Sequence, residues 1–206
     1  MLNDEENSKK HIYLATHNLG KVTEIKSLLD LSWDVSSLSD LPQAITWLED
    51  GVSFEENAVI KVNALREKIK NACILSDDSG LVVPSLGGEP GLNTSRYAGE
   101  GKDDKKNIAK LLAKLNGFST SDRSAHFICV FAFINTIGSI SIHKGRCNGK
   151  IALSPNGCGG FGYDSIFIPE GFSQTFAQLD LSTKSSISAR GRAFKDWTNY
   201  ITSCNN

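Results

Sequence analysis

Apolar positions along the chain fall into short runs separated by helical stripes, and this alternation predicts strands and helices within one α/β unit. Ile12-Tyr13-Leu14-Ala15 is a short strand that breaks at Thr16-His17-Asn18-Leu19-Gly20, after which Val22, Ile25, Leu28 and Leu29 recur at helical spacing. From Val35 to Leu48 the pattern weakens around Pro42, and an irregular stretch or short strand is expected. Ser53-Phe54-Glu55-Glu56 has the form of a capping box, and Ala58, Val62, Leu65 and Ile69 mark one face of a helix from about Phe54 to Lys70. Ala72-Cys73-Ile74-Leu75 reads as a buried strand ending in Ser76-Asp77-Asp78-Ser79-Gly80, with Leu81-Val82-Val83 continuing beyond a bend. Carboxylates are thus expected at a strand end.

Beyond the loop Gly87-Gly88-Glu89-Pro90-Gly91, a helix carries Ile108, Leu111, Leu112 and Leu115 and stops at Gly117. Phe127–Ile134 and Ile137–His143 predict a hairpin around Asn135-Thr136. Ile151-Ala152-Leu153 and Ser165–Ile168 flank a glycine-rich loop, and a last helix is expected from about Ser182 to Ile201 on the stripe Ile187, Phe194, Trp197 and Ile201. No repeat or low-complexity tract interrupts this order. The reading is a polar tail over residues 1–10 and one domain over 11–206, with a central mixed sheet flanked by helices.

Charge narrows the function. Lys plus Arg number 22 against 23 Asp plus Glu, a net charge of −1, so no basic field is available to hold a long nucleic acid, and an anionic ligand must be met locally. The five cysteines are odd in number and form no C-x-x-C pair, and the four histidines form no H-x-x-x-H pair, which argues against a disulfide framework or a zinc site. The polar N-terminus lacks a secretory apolar core, and no apolar run approaches the ~18 residues of a membrane span. A cytoplasmic protein without membrane partners is expected.

Three segments carry chemistry. Thr16-His17-Asn18-Leu19-Gly20-Lys21 lies between a strand and a helix, where free N–H groups, the helix dipole and Lys21 suit a phosphate; an ordinary capped turn is the plainer alternative. Asp77-Asp78 places two like charges side by side, and at ~4 Å in an effective dielectric of ~20 they repel by ~4 kcal/mol, so a cation, a proton or full exposure is required. A hard ion such as Mg²⁺ suits this, since it takes one or two carboxylates and completes its shell with water and phosphate. Lys61, four residues after Asn57 on the expected helix, can reach the same ligand. Phe161-Gly162-Tyr163-Asp164 offers an aromatic, a close-approach glycine and an acceptor suited to a base and its sugar, while Lys184 and Arg190 can add charge or base-edge donors. Gly157-Cys158-Gly159-Gly160-Phe161-Gly162 matches the dinucleotide fingerprint in form, but it lies too late and precedes a strand rather than a helix.

With these segments in order, the chain resembles the inosine triphosphate pyrophosphatase family. The resemblance runs from about Ile12 to Trp197 through the blocks ATHNLGK, SFEENAVIKVNAL, SDDSGLVVPSLGGEPGLNTSRYAG, GGFGYDSIFIPEG and KSSISARGRA. It implies two lobes with a substrate cleft between them, a homodimer, and Mg²⁺-dependent hydrolysis of ITP, dITP and XTP to monophosphate and pyrophosphate. By position it implies that Thr16, Asn18 and Lys21 belong to the phosphate block, which also spans His17, Leu19 and Gly20. It likewise implies that Glu49 and Asp78 hold the metal, that Asp78 also accepts the proton, and that Ser79 lies beside it. Phe161 to Asp164, Lys184 and Arg190 match the base and ribose contacts, and Lys21 and Lys61 are the candidates for the catalytic charge. Two positions depart from the pattern: His17 stands in a block usually read T-G-N or S-N, and Ala189 stands where His usually precedes Arg190. The competing readings are a Maf-like pyrophosphatase acting on pyrimidine or modified nucleotides, and a nucleotide-binding regulator without catalysis.

Overall fold

A computed structural model describes residues 9–204. Six strands form one sheet in the order β2-β1-β3-β4-β5-β6. β1 (Lys10–Ala15) pairs in parallel with β2 (Trp33–Ser37) and β3 (Cys73–Val82), whereas β4 (Ser124–Ile134), β5 (Ile140–Ile151) and β6 (Phe167–Pro169) continue antiparallel. The mixed sheet expected from the sequence is therefore present. Of the expected tail, Lys10 already belongs to β1 and Lys9 precedes it, while residues 1–8 lie outside the described residues.

Helices cover both faces. α1 (Leu19–Leu28) starts at Asn18, whose Oδ1 accepts from Lys21 N at 3.1 Å, and α2 (Phe54–Lys68) starts at Ser53, whose Oγ accepts from Glu56 N at 3.1 Å. The Glu56 carboxylate returns to Val52 N at 2.9 Å, one residue before the usual capping-box partner. α3 (Asp104–Lys114) ends before Gly117, which has φ 82°. One core cluster joins Leu75 and Leu81 of β3 to Val22, Ile25, Phe194 and Trp197; the other joins Ile74 to Ala58, Val62 and Leu65 of α2. Successive residues of β3 thus face different helix layers, as the strand period requires.

The sequence reading needs correction at two places. The single helix expected over residues 182–201 is two, α4 (Leu181–Ile187) and α5 (Ala189–Cys204), broken at Ser188. Ser188 is extended, with ψ 159°, and its Oγ accepts from Gly191 N at 3.1 Å, so it caps α5. Gly191 makes the break possible, because a Cβ there would lie 1.6 Å from Ser185 O. The second correction is that β3 runs unbroken through Asp77-Asp78, so the carboxylates lie mid-strand. The strand that ends is β1, whose Ala15 opposes Ser76, leaving Asp77 on an open sheet edge on one side and paired with Phe131 of β4 on the other.

Candidate active site

A cleft of about 560 Å³ opens where β1 stops. Its lining includes Lys21, Glu49, Lys61, Asp78, Phe161 and Arg190.

Because β3 alternates its faces, Asp77 and Asp78 have separate fates. Asp77 turns toward α1 and α5 and is 1% exposed. It pairs with Lys21 Nζ, accepts from Arg190 Nε at 2.8 Å, and receives the Ser79 hydroxyl at 3.0 Å and the Cys129 thiol at 3.1 Å. Burial opposes its charge, but Arg190 and Lys21 outweigh that and hold its carboxyl far below the usual range. Asp78 turns toward α2 and accepts from Lys61 Nζ at 2.6 Å. Here burial wins over Lys61 and Lys21, and its carboxyl is pushed above the ordinary value, as suits a proton acceptor. Cationic side chains thus accompany both aspartates, Arg190 and Lys21 at Asp77 and Lys61 at Asp78. At the open edge the Asp77 carbonyl receives Lys21 Nζ at 3.3 Å and Lys61 Nζ at 3.2 Å, which brings both ammonium groups to one point of the cleft.

Glu49 and Asp78 converge on one point: Lys61 Nζ lies 3.0 Å from Glu49 Oε1 and 2.6 Å from Asp78 Oδ1. Two carboxylates gathered around one cation position fit Mg²⁺, which would take its other ligands from water and phosphate oxygens. Among the described residues no group of three or more His, Cys, Asp or Glu is placed to hold a metal.

Beyond Asp77, Glu24 joins the two cations of α4 and α5. Lys184 Nζ donates to Glu24 Oε1 and Asp164 Oδ2, each at 2.5 Å, and Arg190 Nη1 pairs with Glu24 Oε2. Arg190 Nη2 donates to Ser79 Oγ at 3.2 Å, so three of its donor atoms are engaged and two of its five N–H groups are left for a ligand. The Phe161 ring lies 5.2 Å from Lys184 Nζ and 5.7 Å from Arg190 Cζ, and it packs over Gly20, where a Cβ would come within 2.6 Å of the ring. Glycine at position 20 is what lets the Phe161 ring approach the turn before α1.

The structure brings nearly all the expected residues together, though not always with the expected atoms. Thr16, His17, Asn18, Lys21, Glu49, Lys61, Asp78, Ser79, Phe161, Gly162, Lys184, Ala189 and Arg190 line the cleft. Leu19 and Gly20 do not: Leu19 is 71% exposed, and Gly20 lies under the Phe161 ring. Tyr163 and Asp164 reach the wall, but the Tyr163 hydroxyl donates to Thr94 O at 3.0 Å and Asp164 accepts from Phe161 N at 2.8 Å, so both hold the loop. Asn57 accepts from Gly51 N at 3.0 Å and supports the Glu49 segment instead of sharing a ligand with Lys61. Sequence reasoning missed Glu24, Trp47, Thr94, Arg96 and Cys129. Only Glu24 left a signal, a carboxylate between Val22 and Ile25 on the buried side of α1 and three residues from Lys21.

A family model described as the Ham1 family matches residues 12–200. A dITP/XTP pyrophosphatase of Desulforamulus reducens is 44% identical over 185 residues, which is 89% of this chain and 92% of that protein. One from Geobacillus kaustophilus is 43% identical over 185 residues, covering 89% of this chain and 90% of its own. Among solved structures, the Staphylococcus aureus Ham1 protein superposes with a TM-score of 0.83 at 38% identity, covering 94% of this chain and 99% of that one.

Proposed function

The chain belongs to the Ham1 family, and from that premise we propose that it hydrolyses non-canonical purine nucleoside triphosphates (ITP, dITP and XTP) to the monophosphate and pyrophosphate, cleansing the nucleotide pool. The observation that carries this reading is one cleft with a cationic phosphate end, at Lys21, Lys61 and the start of α1, facing an aromatic end at Phe161. Relatives that cover most of the chain are named dITP/XTP pyrophosphatases.

In the proposed reaction the triphosphate lies along the α1 N-terminus, with Phe161 stacked on the base. Asp78 takes a proton from water, whose oxygen attacks the α-phosphorus, and the α–β anhydride bond breaks to release pyrophosphate. Lys21 and Lys61 stabilise the charge that grows on the departing group, and their prior fixing by the Asp77 carbonyl removes reorganisation cost. Glu49 and Asp78 are the residues that would hold Mg²⁺, which when bound supplies Lewis-acid charge to the phosphate oxygens. The active form proposed is a cytoplasmic homodimer. The five free cysteines accord with a reducing compartment, and among the described residues no helix is long and apolar enough to cross a membrane.

Base selection is proposed to rest on Arg190, whose remaining N–H groups donate to a 6-keto oxygen and repel an exocyclic amine. Ala189, buried at the cleft wall, has no side-chain hydrogen bond to add. A lost specificity-giving hydrogen bond costs ~0.5–1.5 kcal/mol, so Ala189→His is expected to widen the ITP-over-ATP preference by roughly 2- to 13-fold. The check is kcat/KM for both nucleotides in both proteins; an unchanged ratio shows that position 189 does not read the base. The function itself is tested by pyrophosphate release with Mg²⁺ from dITP, ITP, XTP, ATP and dCTP. Faster turnover of the three keto-purine substrates is expected, and a preference for the pyrimidine would sink the assignment.

A further inference from the structure

The segment that carries Glu49 has no strand partner and no helix. Between the turn ending at Asp40 and the α2 cap Ser53 its backbone is irregular, yet its burial alternates: Ile45, Trp47 and Glu49 turn inward while Ala44, Thr46, Leu48 and Asp50 are exposed. Ile45 seats in the core cluster beneath α2 and Trp47 packs against the same cluster. The Trp47 indole stacks on the His17 imidazole, with ring centroids 4.7 Å apart and planes at 28°, and its Nε1 donates to Glu49 Oε1 at 3.4 Å. His17 stands one residue before Asn18, the cap that starts α1.

We propose that His17 and Trp47 form an aromatic clasp that holds residues 44–50 against the phosphate turn and thereby sets Glu49 over Lys61. Trp47 is a positioning residue that acts through Glu49, and His17 supplies the second ring. Without the clasp, Ile45 and the Asn57 bond to Gly51 anchor the backbone on either side, and only Lys61 at 3.0 Å and Arg96 at 3.5 Å still hold the Glu49 carboxylate between them. The clasp rests on the pyrophosphatase reading only for its effect on nucleotide binding.

The test is cleavage of the full-length protein by endoproteinase Glu-C at Glu49 and Asp50, without nucleotide or metal, with cleavage at sites elsewhere as the internal control. An aromatic pair of this kind favours the closed form by roughly 2- to 13-fold, so His17→Gly and Trp47→Ala are each expected to raise local cleavage by that factor. Because Trp47→Ala also removes core packing and the bond to Glu49, the double variant is expected to cleave no faster than Trp47→Ala alone, and His17→Phe, which keeps a ring, to retain the parent's protection. In steady-state assays His17→Gly is expected to raise KM for dITP more than it changes kcat. Equal cleavage of parent, His17→Gly and Trp47→Ala, or additive effects in the double variant, would overturn the clasp. If the parent fails to turn over dITP while the cleavage pattern holds, the clasp stands and the functional reading falls.

Discussion

Replacing Asp78 with Asn is expected to lower kcat for dITP by roughly 10²–10⁴-fold, the usual contribution of a positioned general base. The change is nearly isosteric and removes only the charge and basicity of a group whose carboxyl burial has already pushed up. Lys61 keeps Glu49 as a partner at 3.0 Å, so its ammonium is not stranded. Melting within a few degrees of the parent should accompany the loss, and turnover within about tenfold of the parent would remove Asp78 from the mechanism.

The neighbouring residue should behave in the opposite way. Asp77→Ala strips the buried partner from Arg190 and Lys21, and breaking a buried ion pair from one side costs about 3–5 kcal/mol. At roughly 2–4 °C per kcal/mol for a chain of this size, the melting temperature is expected to fall by about 6–20 °C. Arg190 keeps Glu24 and Lys21 keeps only the Asp77 carbonyl, so activity falls as well, through misplacement of both cations. The readout that separates the two aspartates is thermal denaturation: a large drop for Asp77→Ala beside a small one for Asp78→Asn. Equal melting of both variants would show that Asp77 is not the structural member of the pair.

These two aspartates also show what the sequence could and could not reveal. The helix at residues 54–68 was legible because its cap, Ser53, and its apolar stripe are local, and the β4–β5 hairpin was legible for the same reason. Asp77-Asp78 read as a strand end because five small or charged residues in a row look like a turn. The partners that allow Asp77 inside β3 are Lys21 and Arg190, 56 and 113 residues away, and no local pattern announces them. Glu24 stayed hidden on the same account, since its partners Lys184 and Arg190 lie 160 and 166 residues away. β2 was faint because it is an edge strand whose Asp34 and Ser36 are polar. The break at Ser188 was overlooked because serine-rich sequence was absorbed into an apolar stripe that continues on both sides of it. The site was more legible than the fold in one respect: Lys21, Lys61, Asp78, Phe161, Lys184 and Arg190 were all singled out and all meet in the cleft. Several serve one another as much as a ligand, and that only the assembled network displays.

The central claim concerns which bond is cut, and phosphorus NMR of dITP incubated with the protein and Mg²⁺ tests it directly. Attack at the α-phosphorus predicts one deoxynucleoside monophosphate signal and one inorganic pyrophosphate signal, rising together in equal amounts, with neither a diphosphate nor orthophosphate at early times. Orthophosphate and dIDP as the first products would contradict the account.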